Sequence, residues 1–364
     1  MRGFEQSTDN LFVYISPESF VPKDHPLRPI RQMVDSALEN LSPVFCQMYS
    51  HTGRPSIPPE RLLKAMLLQV LYSIPSNVKL IEQIHFNVLF RWFLGLGLDE
   101  PVWDHSSFST NQQRLIQTDV AAKFLAEILE QAGRNKLLSK DHFSVDGTLI
   151  QSWASIKSFK PYDDDSNPPV GKNPGRDFQG KQLSNETHIS STDPDARLYR
   201  KGLNHEPRLS FAAHLLTENR HGLVLDSRVT IADGFAERET AKAMITKAVP
   251  RKRRTTVAAD RNYDTHDFIK TMRSLKVTPH VTQNHKKKGG SSIDGRTTRH
   301  GGYKVSQTFR KRIEEVFGWL KTVGLFRKTR YRGVDKIDWH FTLAVTAYNL
   351  VRMRNLGVCA TQSG

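Results

Sequence analysis

The apolar residues of this chain change their spacing near residue 140. Between residues 59 and 133 they recur every three or four positions, as in Leu62, Met66 and Val70, and this spacing is typical of helices that bury one face. From residue 141 onwards short runs of alternating apolar and polar residues replace them, the first being HFSVDGTLI. The sequence therefore predicts an all-α N-terminal region followed by a region that contains strands.

The second region has a definite order of predicted elements. After the first strand, two more strands are joined by a turn at ENRHG, and a helix follows at about 235–248. The strand TTVAAD then ends at Asp260, a helix starts near residue 265, and the strand VTPHVT leads to a last helix that includes residues 309–321. This order predicts an α/β fold in which helices pack on a mixed sheet.

These patterns divide the chain into three predicted parts. Residues 1–138 form a helical N-terminal domain, residues 139–333 form the α/β domain, and residues 334–364 form a C-terminal helix that packs on it, with a short tail. The stretch 155–207 is rich in Asp, Pro, Gly and Ser and is predicted to be a long polar loop. A second stretch, 284–302, is basic and rich in glycine, and we expect it to order on a polyanion.

Within the N-terminal region, the first two predicted helices are separated by the short segment SIPS. Proline suits the first turn of a helix, and the segment SIPP precedes the first of the two. Two helices joined by a tight break are typical of a helix-turn-helix, and equally of any small bundle. The bundle is the better interpretation of the sequence alone.

The positive charge of the chain is concentrated in one segment. The sequence has 53 Lys and Arg against 37 Asp and Glu, a net charge of +16. Residues 251–333 alone hold 22 basic and 6 acidic residues, so the excess of this segment equals that of the whole chain. Such a segment indicates a polyanionic partner, either nucleic acid or an acidic membrane surface.

Two further features bear on where the protein acts. The only cysteines are Cys46 and Cys359, which are too few and too far apart for a disulfide framework or a zinc cluster and fit a reducing cytosol. The N-terminal residues lack the apolar core of an export signal, and no apolar run is long enough to cross a membrane. We therefore expect a cytoplasmic protein that makes no use of a membrane.

Two aspartates lie where strands are predicted to end. Asp146 is near the end of the first strand and Asp260 ends the fourth, and the carboxyl ends of strands in open α/β sheets gather ligands. Either aspartate alone is better explained as a helix cap or turn residue. A glutamate on the last helix changes that balance, because three converging carboxylates repel one another unless a cation such as Mg²⁺ or Mn²⁺ neutralises them.

The last helix offers two glutamates, and a helical wheel separates them. Relative to Arg310, Glu314 falls at about 40° and Lys321 at about 20°, beside the apolar arc of the helix. Glu315 falls at about 140°, in a polar stripe that water should reach. Glu314 is therefore predicted to join the two aspartates, with Arg310 and Lys321 holding phosphates.

At these residues the chain resembles a bacterial insertion-sequence transposase of the DDE type, closest to the insertion sequence five group. The resemblance covers nearly the whole chain. The matching stretches are IEQIHFNVLFRWFLGL, WDHSSFSTNQQRL, VDGTLIQSWAS, DPDARLYRKG, ENRHGLVLDSRVT, AERETA, AADRNYDT and RKRIEEVFGWLKTVG. The family signature is Tyr, two residues, Arg, three residues, Glu, six residues and Lys. Arg310, Glu314 and Lys321 keep that spacing, but Gln307 occupies the tyrosine position and the nearest tyrosine is Tyr303.

The resemblance implies an RNase H-like fold and a Mg²⁺- or Mn²⁺-dependent enzyme that cleaves and joins DNA. Asp146, Asp260 and Glu314 would be both the catalytic residues and the metal ligands. The predicted DNA-contacting residues are Arg310, Lys321, Lys286, Lys287, Lys288 and Arg261.

The predicted partner is double-stranded DNA, both the ends of the element and the target. Because two element ends must be held together, we expect a homodimer on DNA, acting in the bacterial cytoplasm at the nucleoid. Recognition of the ends is expected to lie within residues 1 to about 135, since the catalytic surface has to accept varied target DNA. Two alternatives remain: a DNA-binding protein without catalysis, and a metal-dependent nuclease that cuts without joining.

Overall fold

The N-terminal part of the chain is entirely helical. The computed structural model describes residues 16–49, 52, 56–161, 183–200, 206–248, 255–286 and 289–358. The helices of the first part are α1 Pro17–Phe20, α2 Leu27–Met48, α3 Pro59–Leu71, α4 Asn77–Phe86, α5 Val88–Leu94, α6 His105–Ile116 and α7 Val120–Arg134. Side chains cap several of them; the Ser76 hydroxyl accepts the Lys79 N–H at the start of α4, and Asp104 does the same for Ser106 and Ser107 at α6. The Ser76 cap begins α4 at the end of SIPS, the break expected from the sequence.

Helix α3 lies in the interior of this helical part. Leu62, Leu63, Leu67 and Leu68 of α3 have no exposed surface, and they belong to one core together with residues of α2, α4, α5, α6 and α7. A helix buried on this scale is the centre of a bundle. This packing favours the bundle interpretation of α3 and α4 over a separate helix-turn-helix.

The remainder of the described chain alternates strands and helices. Its elements are β1 His142–Gln151, β2 Phe159–Pro161, β3 His188–Ser190, β4 Arg197–Tyr199, β5 Arg208–Glu218, β6 Val224–Ile231, α8 Ala236–Ala248, β7 Thr255–Ala259, α9 His266–Ser274, β8 Val277–Val281, α10 Gly295–Thr298, α11 Gly301–Arg310, α12 Arg312–Thr322 and α13 Val334–Asn355. The predicted order of three strands, helix, strand, helix, strand and helix is confirmed for β1, β5, β6, α8, β7, α9, β8 and α12.

The main sheet has β1 at its centre. The strand order is β6–β5–β1–β7–β8; β1 pairs antiparallel with β5, β5 pairs antiparallel with β6, and β1, β7 and β8 are parallel. One face of the sheet packs against α12 and α13, and the other packs against α8 and α9. This mixed sheet between two helical layers is an RNase H-like α/β fold, which confirms the fold class expected from the sequence.

The described parts of the stretch 155–207, which leave out 162–182 and 201–205, are more ordered than a polar loop. Its described parts contain the three short strands β2, β3 and β4. Strands β2 and β3 pair as a separate ribbon, in which the Ser158 and Ser190 hydroxyls are 2.8 Å apart, and β4 pairs with the first residues of β5. Strands β2 and β3 are far apart in sequence, so local composition did not reveal their pairing, whereas β4 and β5 follow one another along the chain. In the same way α10 and the start of α11 fall inside the basic stretch 284–302.

Helix α13 joins the helical part to the sheet. Nine consecutive residues of α13, from Trp339 to Ala347, are buried, which means that the helix is covered on all sides. Its residues belong both to the core of the N-terminal helices and to the core under the sheet. The predicted boundary between an N-terminal and a catalytic domain stays a prediction, since α13 packs on both. No helix in the described part of the chain is both long and apolar enough to cross a bilayer.

The buried Asn349 of α13 should contribute strongly to stability. Its Oδ1 accepts the Val224 N–H at 2.9 Å and its Nδ2 donates to the Val224 carbonyl at 2.8 Å, at the first residue of β6. Asn349→Ala leaves both backbone groups buried and unpaired, at a cost of roughly 2–5 kcal/mol in the free energy of unfolding. Urea unfolding measures this loss. The exposed Asn355→Ala in the same helix is the control, and equal effects of the two variants would contradict the prediction.

Candidate active site

Strand β1 continues beyond the end of its parallel neighbour. The pairing with β5 runs from Phe143 to Gln151, whereas the pairing with β7 covers only His142 to Ser144. Strand β7 ends at Ala259, so the edge of β1 that faced β7 is unpaired after Ser144 until Gln151, where a bridge to Lys328 covers it again. A crevice at the carboxyl ends of parallel strands is where α/β sheets place their ligands.

Asp146 and Asp260 both lie at this crevice. Asp146 Oδ1 accepts the Gly147 N–H, and Asp260 Oδ1 accepts the Asn262 N–H, both at 2.8 Å. Burial, and next the charge of Asp260, raise the pKa of Asp146 to about 7. Burial also raises the pKa of Asp260. The two aspartates, 114 residues apart in sequence, are thus near enough for the charge of one to act on the other. The prediction that Asp146 lies near the end of the first strand is wrong, because it is the fifth of the ten residues of β1.

Two of the predicted phosphate-binding residues lie over the same strand. Arg310 Nη1 is 3.5 Å from Asp146 Oδ2, and the positive charge of Arg310 lowers the pKa of both aspartates, although burial outweighs it. Among the described residues, no acceptor is bonded to the buried Arg310 Nε. Lys321 Nζ donates to the Thr148 hydroxyl at 2.5 Å. Arg310 and Lys321 thus bring basic groups to the strand that carries Asp146.

Glu314 is not gathered with the two aspartates in this structure. Both Glu314 and Glu315 are exposed, so the expected contrast between a partly buried and a solvated glutamate is wrong. A side chain that borders the apolar arc of a helix is covered only where another element lies over it. In the described parts of the chain, no three His, Cys, Asp or Glu side chains are grouped closely enough to hold a metal ion. The role of Glu314 stays a prediction.

The helix that carries the signature is also not continuous. Helix α11 ends at Arg310 and α12 begins at Arg312, with a tighter turn between them. There the Lys311 N–H bonds to the Thr308 carbonyl and the Glu314 N–H bonds to the Lys311 carbonyl, both three residues back. The angle between Arg310 and Glu314 therefore differs from that of an ideal wheel.

Gln307, which replaces the signature tyrosine, is bonded to the protein itself. Its Oε1 accepts the Thr282 hydroxyl at 2.7 Å and its Nε2 donates to the His280 carbonyl. One turn earlier, the Tyr303 hydroxyl donates to the Val281 carbonyl at 3.0 Å. Both side chains fasten α11 to the end of β8, so the residue at this position supports the helix that presents Arg310.

Glu237 is an acidic residue of the crevice that the sequence analysis did not single out. It lies in the first turn of α8, and its Oε1 is 2.9 Å from the point that a Cβ on Gly147 would occupy. Burial, and next the charge of Asp260, raise its pKa. The stretch AERETA was noted only as a resemblance. The feature of the sequence that could have indicated it is its place in the first turn of the helix that follows the third predicted strand.

The other predicted DNA-contacting residues are at the surface. Arg261 is exposed in a short 3₁₀ turn directly after Asp260, and Lys286 is exposed in the turn after β8. Lys287 and Lys288 lie outside the described residues. Lys328 adds a basic group near the end of β1, since its Nζ is 5.2 Å from the centre of the partly exposed Trp153 ring.

The donor chemistry of the aspartate pair fits a divalent cation. The groups are carboxylate oxygens, which are the preferred ligands of Mg²⁺ and Mn²⁺. Arg310 compensates their charge only in part, because the pKa of Asp146 is still about 7 beside it. Each of two neighbouring carboxylates makes ionisation of the other less favourable, and a bound cation would relieve the repulsion between their negative charges.

This raised pKa makes the stability of the cation-free protein depend on pH. The ordinary pKa of Asp146 is 3.8 and its folded pKa is about 7, so between these values the folded state binds the proton more tightly than the unfolded chain. The free energy of unfolding should therefore fall as pH rises from about 4 to about 7, by about 1.4 kcal/mol per pKa unit. Asp146→Asn should remove this component and be more stable than wild type at pH 8.

Urea unfolding in EDTA at pH 4, 6 and 8 measures this dependence. The exposed Asp24→Asn removes one carboxylate elsewhere and should keep the wild-type dependence on pH. If Asp146→Asn also keeps it, the aspartate ionises normally in the folded protein.

Comparison with known proteins gives two family matches in order along the chain. The model of a transposase domain (DUF772) matches residues 15–114, and that of a transposase DDE domain matches residues 187–350. Asp260, Glu314, Arg310 and Lys321 lie inside the second match, while Asp146 lies between the two. Among curated proteins, no sequence matches this chain significantly.

Solved structures of transposases are similar to the chain at low sequence identity. A piggyBac transposase synaptic complex with hairpin DNA is 10% identical with a TM-score of 0.44, over 92% of this chain and 77% of that one. A pre-cleavage Mos1 transpososome is 11% identical with a TM-score of 0.21, over 84% and 82%. Because these TM-scores are below 0.5, the fold class is supported by the strand order of this chain and not by these similarities. Both matched models describe transposase domains, and they follow one another in sequence order along this chain.

Proposed function

We propose that this chain is a DDE transposase of the insertion sequence five group and that it moves its own element. It binds the terminal inverted repeats, cleaves the DNA at the element ends and joins the freed 3′-hydroxyls to target DNA. The observation that carries the proposal is the half-buried pair of Asp146 on β1 and Asp260 directly after β7, with Arg310 beside Asp146. A carboxylate pair beside a basic side chain suits phosphoryl transfer.

In this proposal Asp146, Asp260 and Glu314 hold Mg²⁺ or Mn²⁺. The bound cation would make the attacking oxygen more nucleophilic and stabilise the leaving oxygen at phosphorus. The attacking oxygen belongs to water during cleavage and to the 3′-hydroxyl of the element during joining. Glu314, exposed about one turn along the chain from Arg310, completes the set of acids.

The basic side chains position the DNA backbone. Arg310 lies against Asp146 with its Nε unbonded among the described residues, and Lys321 reaches Thr148 on the same strand. A phosphate at the crevice can replace the carboxylate as the partner of Arg310, and a guanidinium can bind it through two N–H groups. Arg310 and Lys321 therefore hold the scissile phosphate beside the acids.

The remaining parts of the function concern recognition and assembly. The N-terminal helical part recognises the element ends, and the basic segment 251–333 contacts the DNA backbone, with Arg261 and Lys286 exposed on it. Two copies of the chain hold two ends as a homodimer on DNA, at the bacterial nucleoid in the cytoplasm. A labelled, pre-cleaved end incubated with a target plasmid distinguishes this enzyme from a nuclease that cuts without joining.

Removing an acid of the proposed triad should separate chemistry from binding. Asp146→Ala, Asp260→Ala and Glu314→Ala should each lower cleavage and joining below detection, because each removes a cation ligand, and should leave binding of element ends within about twofold. Cleavage of a DNA fragment with the native ends, with and without Mg²⁺, measures the first effect, and gel shifts measure the second.

The matched control is the neighbouring Glu315→Ala. It removes the same charge from the same turn of α12, where an exposed ion pair contributes roughly 0–1 kcal/mol, and should keep most of the activity. An inactive Glu315 variant beside an active Glu314 variant would show that the family signature has been placed in the wrong register.

The basic segment should give DNA binding a steep dependence on salt. Replacing Lys286, Lys287 and Lys288 together by Ala should weaken binding of specific and random DNA alike and reduce the slope of log K against log salt by up to about three. Fluorescence anisotropy between 50 and about 300 mM NaCl measures the slope. An unchanged slope would mean that these lysines face solvent in the complex.

A further inference from the structure

A third carboxylate approaches the aspartate pair from the opposite side of the sheet. Helix α8 packs on the face that also carries Phe143 and Val145, and its first turn places Glu237 at Gly147, the residue after Asp146. The ideal Cβ position of Gly147 is 2.9 Å from Glu237 Oε1, 3.3 Å from its Cγ and 3.4 Å from its Cδ. No real Cβ approaches an atom at 2.9 Å, so this glutamate occupies its place because residue 147 is glycine.

A buried hydroxyl is directed at the same place. Tyr263 has no exposed surface, and its nearest charges are those of Glu237, Asp146 and Asp260. Its hydroxyl lies near Glu237 but forms no hydrogen bond of full geometry with any described residue. The Tyr263 hydroxyl is thus a buried polar group without a well-formed hydrogen bond, and burial, followed by the charges of these three acids, raises its pKa.

The next glutamate of the same helix behaves as an ordinary surface acid. Glu239 is exposed and its Oε1 is 2.6 Å from Lys242 Nζ. Glu237, by contrast, is half-buried, and burial raises its pKa although the charge of Arg238 lowers it. The guanidinium carbon of Arg238 is 5.7 Å from the centre of the Phe235 ring. The two glutamates therefore differ in surroundings while sharing helix and charge.

We propose that Glu237 is a further acidic residue of the divalent-cation site, and that Gly147 is glycine because any side chain there would displace it. The inference rests on the proposed function and deepens it. Glu237 adds a negative charge beside Asp146 and Asp260, and it is distinct from Glu314 of the family signature. The affinity of an oxygen-ligand site for a hard cation rises with the number of its carboxylates. Since no three acidic side chains of the described residues are grouped closely enough to hold an ion, Glu237 and the aspartates would have to move closer together to bind it.

The test measures Mn²⁺ affinity of the full chain by calorimetry, in the absence of DNA. Glu237→Gln should weaken Mn²⁺ binding by roughly tenfold, while Glu239→Gln should change it less than about twofold. Gly147→Ala should also weaken binding, and the double variant Gly147→Ala with Glu237→Gln should be no weaker than Glu237→Gln alone, because both changes act on one carboxylate.

The controls keep the inference apart from folding and from the proposed function. Alanine suits the backbone conformation of a strand, so Gly147→Ala should not destabilise the fold through backbone entropy. It therefore reports on the site even if Glu237→Gln proves unstable in thermal unfolding. Equal affinities for Glu237→Gln, Gly147→Ala and Glu239→Gln would overturn the role of Glu237. If Asp146→Asn also leaves Mn²⁺ binding unchanged, the cation site of the proposed function fails as well. If Asp146→Asn weakens binding and Glu237→Gln does not, the role of Glu237 alone fails.

Discussion

The active site depends on the different lengths of two parallel strands. Strand β1 is held by β5 along almost its whole length, while β7 leaves it after Ser144. Between Ser144 and the bridge at Gln151, this edge is therefore held in place without being paired, which is the combination that a catalytic crevice needs. Asp146 lies on this edge and Asp260 follows directly where β7 ends, so the same feature of the sheet positions both acids.

This arrangement makes the site electrostatically unfavourable in the cation-free protein. Asp146, Asp260 and Glu237 all have raised pKa values, with burial as the largest cause, and Arg310 offsets this only in part. Other parts of the molecule stabilise the fold. They include the two hydrophobic cores that both contain residues of α13 and the hydrogen bonds of Asn349 to β6. The electrostatically unfavourable acidic site and the core that offsets its cost are thus separate parts of the molecule.

Sequence reasoning succeeded where a local pattern carries the information. Alternation and turn residues predicted the strands, and the rule that ligands gather at strand ends predicted that Asp146 and Asp260 converge. It failed where the outcome depends on contacts between distant segments. The short strands in 155–207 pair with residues that no local pattern indicates, and a wheel gives the angle of Glu314 but not what covers it. Glu237 was missed because its position on α8 depends on the absence of a side chain at Gly147, which lies far away in sequence on β1.

Helix α13 has a consequence for how such proteins can be recombined. Its buried residues complete the interior of the N-terminal helices as well as that of the sheet. A chimera that exchanges residues 1–138 with those of a relative would therefore place foreign side chains against Trp339, Leu343 and Leu350. New end specificity, if it resides in the helical part, has to be inherited together with a compatible C-terminal helix, so the two ends of the coding sequence are expected to evolve as one block.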